Sequence, residues 1–174
     1  MKQWTILIVA LLVGVSAQAQ SNRYYVGGNM SLGASSYGTS IVMYPEVGMR
    51  VNPYLMVGLG AGFDWNNYSS NSDFTMGLIP HVRTYLPVTD RFGFTGDTYF
   101  ATRWTRRQGY EPLISRQTLG FRPGVYFPLG NVILSTQIGF FGWNRVDYGT
   151  GNPSSSWQAR LEARDIVIGV LMNL

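Results

Sequence analysis

One histidine, a carboxylate and a serine are the residues of this sequence that could support acid–base or nucleophilic chemistry. The chain contains a single histidine, His81, and no cysteine. A carboxylate that orients an imidazole, which in turn activates a hydroxyl, is the design of a serine hydrolase site. Asp97, His81 and Ser135 are therefore one hypothetical catalytic set. A single histidine without cysteine is a weak indication of a metal site, and we expect neither a metal nor another cofactor.

The elements that must position these residues show the period of β-strands. From Tyr54 onward apolar residues occupy every second position, as in Leu55, Val57 and Leu59, and a period of two indicates a strand. The alternation recurs along the chain and predicts eight strands, the seventh with Val132, Leu134, Ile138 and Phe140 on its apolar face. After Gln20 no stretch approaches the roughly 20 apolar residues of a membrane helix.

The second face of the predicted strands decides between two kinds of barrel. These faces mix glycine with charged residues such as Arg50, His81 and Arg122, which a dry core would not tolerate. Only 13% of the residues are charged, against about a quarter in a soluble domain. A membrane barrel has its apolar face outside and its polar face inside. We therefore predict an all-β fold, an eight-stranded antiparallel up-and-down transmembrane β-barrel.

The first 19 residues have the pattern of a secretory signal peptide. Lys2 supplies a positive charge, residues 6–15 form an apolar run, and Ala17-Gln18-Ala19 is a small-residue cleavage pattern. We expect residues 1–19 to be removed and residues 20–174 to form the barrel domain. Export argues against nucleic acid as a partner.

Short and long connections alternate between the predicted strands. Short turns are predicted near residues 51–53, 87–91 and 129–130, and longer polar loops at residues 34–39, 66–73, 105–114 and 144–156. Outer-membrane barrels have tight periplasmic turns and longer extracellular loops, so both termini are expected in the periplasm of a Gram-negative bacterium. Tryptophans at the long-loop end predict an interfacial aromatic girdle: Trp65, Trp104, Trp143 and Trp157.

The polar faces predict one charged layer near the middle of the membrane. Hairpin pairing about Thr89 would set His81 opposite Asp97 and Arg83 opposite Thr95, and Arg122 would lie opposite Gln137. An eight-stranded barrel is only wide enough for its own side chains to fill it, so this layer would act as a plug. A plugged bore would give a substrate no path to the hypothetical catalytic set. The predicted network comprises Glu46, His81, Arg83, Asp97, Arg122 and Gln137.

Arginines gather around the third long loop, at positions 103, 106, 107 and 116. Guanidinium groups bind phosphate through paired hydrogen bonds, and lipopolysaccharide phosphates lie at this level of the outer leaflet. Contact with lipopolysaccharide or another ligand is one interpretation of Arg103, Arg106, Arg107 and Arg116. The alternative is a solvated rim in which arginines pair with nearby carboxylates, namely Glu111, Asp147, Glu162 and Asp165.

With these features the chain resembles the small outer-membrane β-barrel family of Gram-negative bacteria, in the OmpA-type or OmpX-type eight-stranded form common among Bacteroidetes. The resemblance covers essentially the whole mature chain and rests on the signal peptide, the hairpin prolines Pro45, Pro80 and Pro123, and the last strand. It implies that the barrel-assembly machinery reads the last strand as alternate apolar residues, although Leu174 replaces the usual terminal aromatic residue. Those positions are Ile166, Ile168, Val170, Met172 and Leu174.

The family includes adhesins, structural anchors, small channels and a few lipid-modifying enzymes, so fold alone does not fix activity. We expect a non-enzymatic barrel of the outer membrane with a plugged lumen and a structural or surface-binding, adhesin-like role. The alternatives are a small passive channel and a lipid A-modifying enzyme. The expected partners are outer-membrane lipid, lipopolysaccharide, the barrel-assembly machinery and an unidentified extracellular ligand.

Overall fold

The computed structural model describes residues 23–35, 38–68, 72–161 and 167–174, so the predicted signal peptide lies outside the described residues. In these ranges no helix has the length and hydropathy required to cross a bilayer. The described chain forms ten antiparallel strands: β1 (Tyr24–Ser35), β2 (Gly38–Asn52), β3 (Leu55–Tyr68), β4 (Ser72–Thr89), β5 (Phe92–Arg107), β6 (Tyr110–Leu129), β7 (Val132–Gln137), β8 (Phe140–Asp147), β9 (Ser154–Arg160) and β10 (Val167–Asn173).

The strands form a closed barrel with eight strand positions around its wall. We call each position a stave and count the staves in chain order, because two of them are made of two strand segments. Strand β5 pairs with β6, and β1 pairs with β10, which joins the two ends of the sheet. Strand β6 pairs with β7 over one half of its length and with β8 over the other. Strands β7 and β8 are therefore two segments of the seventh stave, and β10 and β9, which pair with them, are two segments of the eighth. The predicted eight-stranded antiparallel barrel is confirmed.

Side-chain exposure alternates along the strands as it does in a transmembrane barrel, with apolar residues outside and polar residues inside. On β4 the side chains of Phe74, Met76 and Leu78 are exposed on the outer surface, whereas Asp73 and Thr75 are buried inside. The same alternation exposes large apolar residues on the other staves and buries polar and charged ones. An apolar exterior around a polar bore is the arrangement that suits a lipid environment.

The three short turns lie slightly further along the chain than expected. They occupy residues 53–54, 90–91 and 130–131. We call the end of the barrel that carries these turns, Arg23 and Leu174 the terminal end. Side chains hold two of the turns, because the amide of Tyr54 donates to Asn52 Oδ1 and that of Arg91 donates to Thr89 Oγ1. In the third turn Gly130 has a positive φ of 66°, which glycine adopts without steric cost.

This displacement moves the register by two residues, so the predicted cross-strand partners are wrong. His81 lies opposite Tyr99 instead of Asp97, and Arg83 lies opposite Asp97 instead of Thr95. Gln137 lies opposite Gly124 instead of Arg122. An even shift leaves each side chain on its predicted face, because side-chain direction repeats every two residues.

The long loops predicted at the opposite, distal end are mostly strand. Strand β5 continues to Arg107 and β6 begins at Tyr110, so only Gln108 and Gly109 connect them within the predicted loop 105–114. Strands β4 and β6 have 18 and 20 residues, more than the about 9–11 residues that cross the hydrocarbon.

A bulge in the seventh stave places one residue on the face opposite to the predicted one. Phe140, expected on the apolar outer face, is 5% exposed in the bore, and Phe141 is exposed outside instead. Between β7 and β8 the register with β6 shifts by one residue, and Gly139 takes a φ of 80°.

Candidate functional site in the barrel lumen

The bore is filled by three layers of side chains. An apolar and aromatic layer closes the terminal end, a charged layer follows, and an aromatic layer of Tyr99, Ala101, Phe140 and the partly buried Ile79 lies on its distal side. The terminal layer consists of Tyr25, Met56, Tyr85, Tyr126, Ile133 and Leu171. Small eight-stranded barrels are filled by their own side chains in this way.

Arg83 is the centre of the charged layer. Its guanidinium donates two hydrogen bonds to the Glu46 carboxylate, at 2.8 Å from Nη1 to Oε1 and 3.2 Å from Nη2 to Oε2. The same group lies 3.5 Å from Asp97 Oδ2. All three side chains are buried, with Arg83 only 1% exposed. One cation thus bridges two carboxylates contributed by β2 and β5, in the bidentate geometry that makes arginine–carboxylate pairs strong.

Gln137 extends this network to the seventh stave. Its amide nitrogen donates to Asp97 Oδ2 at 3.1 Å, and the residue is 1% exposed. The charged layer therefore ties together β2, β4, β5 and β7, four staves spread around the bore. A buried charge is stable only when its partners remain in place, so these contacts couple the distant walls of the barrel.

His81 completes the layer through contacts with Tyr25 and Glu46. The Tyr25 hydroxyl lies 2.9 Å from His81 Nε2, and Glu46 Oε2 lies 3.6 Å from the same nitrogen. The other ring nitrogen, Nδ1, lies 3.2 Å from the carbonyl oxygen of Ile79 and donates to it. These contacts are possible because Gly58, opposite His81 on β3, has no side chain.

The hypothetical catalytic set of Asp97, His81 and Ser135 is not assembled. Asp97 is engaged with Arg83 and Gln137, whereas His81 contacts Tyr25 and Glu46. Ser135 Oγ has no hydrogen-bond partner among the described residues. Tyr25 and Glu46 also cannot replace the missing members, because both contact Nε2 and a triad requires the carboxylate and the hydroxyl on opposite ring nitrogens. The register shift separates the residues that the expected pairing had joined.

Arg122 has a different environment from the one predicted. Although it lies opposite Asp97 in the ladder, its guanidinium carbon is 4.5 Å from the centroid of the Tyr99 ring. Stacking on an aromatic face is a favourable environment for arginine. The charge that balances Glu46 and Asp97 is thus centred on Arg83, and Arg122 belongs to the distal side of the layer.

The structure separates the four arginines predicted to form one contact site. Arg103 and Arg116 lie opposite each other inside the bore. Arg107 forms an ion pair with Asp73 at 3.1 Å, and Arg106 lies in an open groove at the distal end with Trp65 and Phe74. Arg106 and Arg107 both line that groove, so the four arginines form an inner pair and a distal pair.

The predicted girdle residues and three of the insertion-signal residues lie on the outer surface. Trp65 and Trp157 are exposed, and Trp143 lies opposite Trp157. Trp104 lies opposite the exposed Met76, so it shares the outer face. On β10 the side chains of Ile168, Val170 and Met172 are exposed. Leu174 is part-exposed, and Ile166 lies outside the described residues.

Sequence reasoning missed the aromatic part of the lumen. Tyr25 and Tyr99 carry contacts to His81 and Arg122, yet neither was among the predicted site residues. Their position was available from the alternation, since each lies between two outward-facing neighbours. Within the described residues no group of three histidines, cysteines or carboxylates could hold a metal ion.

Comparison with known proteins identifies similar folds. No protein-family model matches the chain, and no curated protein matches it. The crystal structure of Neisserial surface protein A matches with a TM-score of 0.55 and 14% identity, over 88% of this chain and 98% of that one. A major outer membrane protein from Thermus thermophilus matches with a TM-score of 0.46 and 14% identity, over 87% and 98% of the two chains. The similarity to the Neisserial protein supports the barrel fold.

Proposed function

We propose that this protein is a non-enzymatic outer-membrane barrel with a sealed lumen and a structural or surface-binding role. The observation that carries the proposal is the buried Arg83 bridge between Glu46 and Asp97, enclosed by an apolar layer on each side. A bore filled in this way has no continuous path for a solute. The exposed apolar band supports a location in lipid.

The proposal also covers the orientation of the barrel, its type and its partners. The termini lie in the periplasm of a Gram-negative bacterium, and the chain is of the OmpA/OmpX-like type found among Bacteroidetes. Its partners are outer-membrane lipid and lipopolysaccharide around the wall, the barrel-assembly machinery during insertion, and an extracellular ligand for an adhesin-like role. Cell fractionation combined with heat-dependent gel mobility tests membrane location and closed β-structure together.

Planar-bilayer conductance tests the sealed lumen against the channel alternative. The wild-type protein should carry no steady current, because every layer is occupied by side chains. A variant with one residue shortened in each layer, Met56→Ala, Arg83→Ala and Tyr99→Ala, should conduct if it still folds. A steady wild-type current, abolished by heat unfolding, would reject the sealed barrel.

The enzyme alternative is tested on lipid A itself. Mass spectrometry of lipid A from cells with and without the protein should show no mass difference, because His81 is sealed inside the bore and has no reactive hydroxyl in a productive arrangement. A protein-dependent change in lipid A that is lost in His81→Gln would overturn the non-enzymatic assignment.

A further inference from the structure

Above the aromatic layer the distal half of the bore contains a cavity of about 240 Å³ lined by arginines. Its walls come from β5, β6, β8 and β9, and its polar lining includes Thr118, Asn144, Ser156 and Gln158. This volume is slightly below the usual range of about 300–1,000 Å³ for small-molecule pockets. The four basic lining residues are Arg103, Arg116, Arg122 and Arg160.

Three of these guanidinium groups rest on aromatic rings. Arg122 lies 4.5 Å from the Tyr99 centroid, Arg160 lies 5.1 Å from that of Phe140, and Arg103 lies 5.5 Å from that of Tyr44. An arginine held through its flat face keeps its N–H donors in the plane of the guanidinium, at its edge. The rings therefore fix the planes of Arg103 and Arg122 and leave their donor edges directed away from the rings.

The placement of Arg103 and Arg116 brings two like charges together. They are directly opposed in the ladder between β5 and β6, and like charges in that position destabilise a sheet. The Nε atom of Arg103 is buried and has no hydrogen-bond partner among the described residues. A ligand that accepts hydrogen bonds and carries negative charge would relieve both features.

The charge around the cavity favours a multiply charged anion. Asp64 interacts electrostatically with Arg103, Arg116 and Arg122, and Asp97 lies opposite Arg122 in the ladder. Of the carboxylates that the sequence suggested as arginine partners, Asp147 accepts a hydrogen bond from the Gly149 amide at the distal end. The described residues that line the cavity include four arginines and no carboxylate, an arrangement that suits a phosphate dianion better than a single carboxylate.

We propose that this cavity binds a phosphate group, either free or as part of a lipid headgroup. The inference goes beyond the sealed-barrel function, because the cavity lies on the distal side of the plug. A free phosphate would enter from the distal end.

Isothermal titration of the folded barrel in uncharged detergent micelles tests the site with inorganic phosphate, using chloride at equal ionic strength as reference. The double variant Arg103→Gln/Arg116→Gln should bind roughly tenfold or more weakly, as expected for loss of charge-assisted hydrogen bonds. Arg106→Gln is the matched control, because that arginine lies outside the cavity. Heat-dependent gel mobility verifies that each variant is folded. If the double variant does not fold, Arg116→Gln alone replaces it, because Arg116 is at an exposed position.

A second titration with bisphosphorylated lipid A and its dephosphorylated form distinguishes the two sources. Phosphate-dependent lipid A binding that the cavity variant loses assigns the site to a lipid headgroup. Binding of inorganic phosphate without any difference between the two lipids assigns it to a soluble phosphate. Absence of phosphate-dependent binding with both probes, or equal binding by wild type and the folded cavity variant, would overturn the proposal.

Discussion

The Tyr25 hydroxyl and His81 Nε2 meet at 2.9 Å over the bare backbone of Gly58. A Cβ at position 58 would lie against the Tyr25 hydroxyl oxygen and 2.7 Å from His81 Nε2. The contact between the first and fourth staves therefore depends on a glycine in the third. This relationship connects the terminal aromatic layer to the charged layer, and it can be tested without changing any charged residue.

Gly58→Ala should lower the free energy of unfolding by about 1–3 kcal/mol, the usual cost of forcing an extra methyl group into a packed interior. Gly60→Ala is the matched control, because it lies two residues further on the same strand and its Cβ would meet nothing closer than 3.6 Å. Urea unfolding in detergent micelles, followed by tryptophan fluorescence, measures both. Equal midpoints for the two variants would contradict the proposed role of Gly58.

Glu46→Ala should destabilise the barrel by about 3–5 kcal/mol, because it leaves the buried Arg83 guanidinium without its bidentate partner. Arg106→Ala should change stability by no more than about 0.5 kcal/mol, since its side chain is exposed at the distal end. The same urea experiment compares the two. If the control were as damaging as the lumen variant, the charged layer would not be the main polar support of the fold.

Arg122→Ala should have a smaller effect than Glu46→Ala, about 1–2 kcal/mol, because its contact is with the Tyr99 ring. In a Tyr99→Leu background the cost of Arg122→Ala should decrease, since the ring that the cation stacks on has already been removed. A double-mutant cycle in urea measures this coupling. Strictly additive effects would show that the stacking contributes no stability.

Gly139→Ala should destabilise the bulge in the seventh stave. An alanine there would adopt a positive φ at a cost of about 1–2 kcal/mol, and its Cβ would lie 2.7 Å from the Arg160 carbonyl oxygen. Gly151→Ala has a similar φ of 76° with nothing within 4 Å, so it isolates the backbone cost. Thermal unfolding monitored by gel mobility should give a lower midpoint temperature for Gly139→Ala than for Gly151→Ala. The reverse order would contradict the packing argument.

The face of each residue could be predicted from the sequence, whereas its partner across the strands could not. The two have causes of different range along the chain. The alternation placed Glu46, Arg83 and Asp97 inside the barrel because side-chain direction in a strand is set by each residue and its immediate neighbours. It did not provide the partners, because register depends on where a turn begins. The caps from Asn52 and Thr89, together with bulges before both turns, set that position.

The sequence by itself determined a β-barrel of eight staves with its apolar side outward and a charged layer within. Only the tertiary structure decided that Arg83 bridges Glu46 and Asp97, that the bulge at Gly139 turns Phe140 into the bore, and that Arg103 and Arg116 face each other there. The physical reason is that a period of two fixes a face over a few residues. Contacts across a bore depend on turn position, bulges and closure, which bring together residues far apart in the chain.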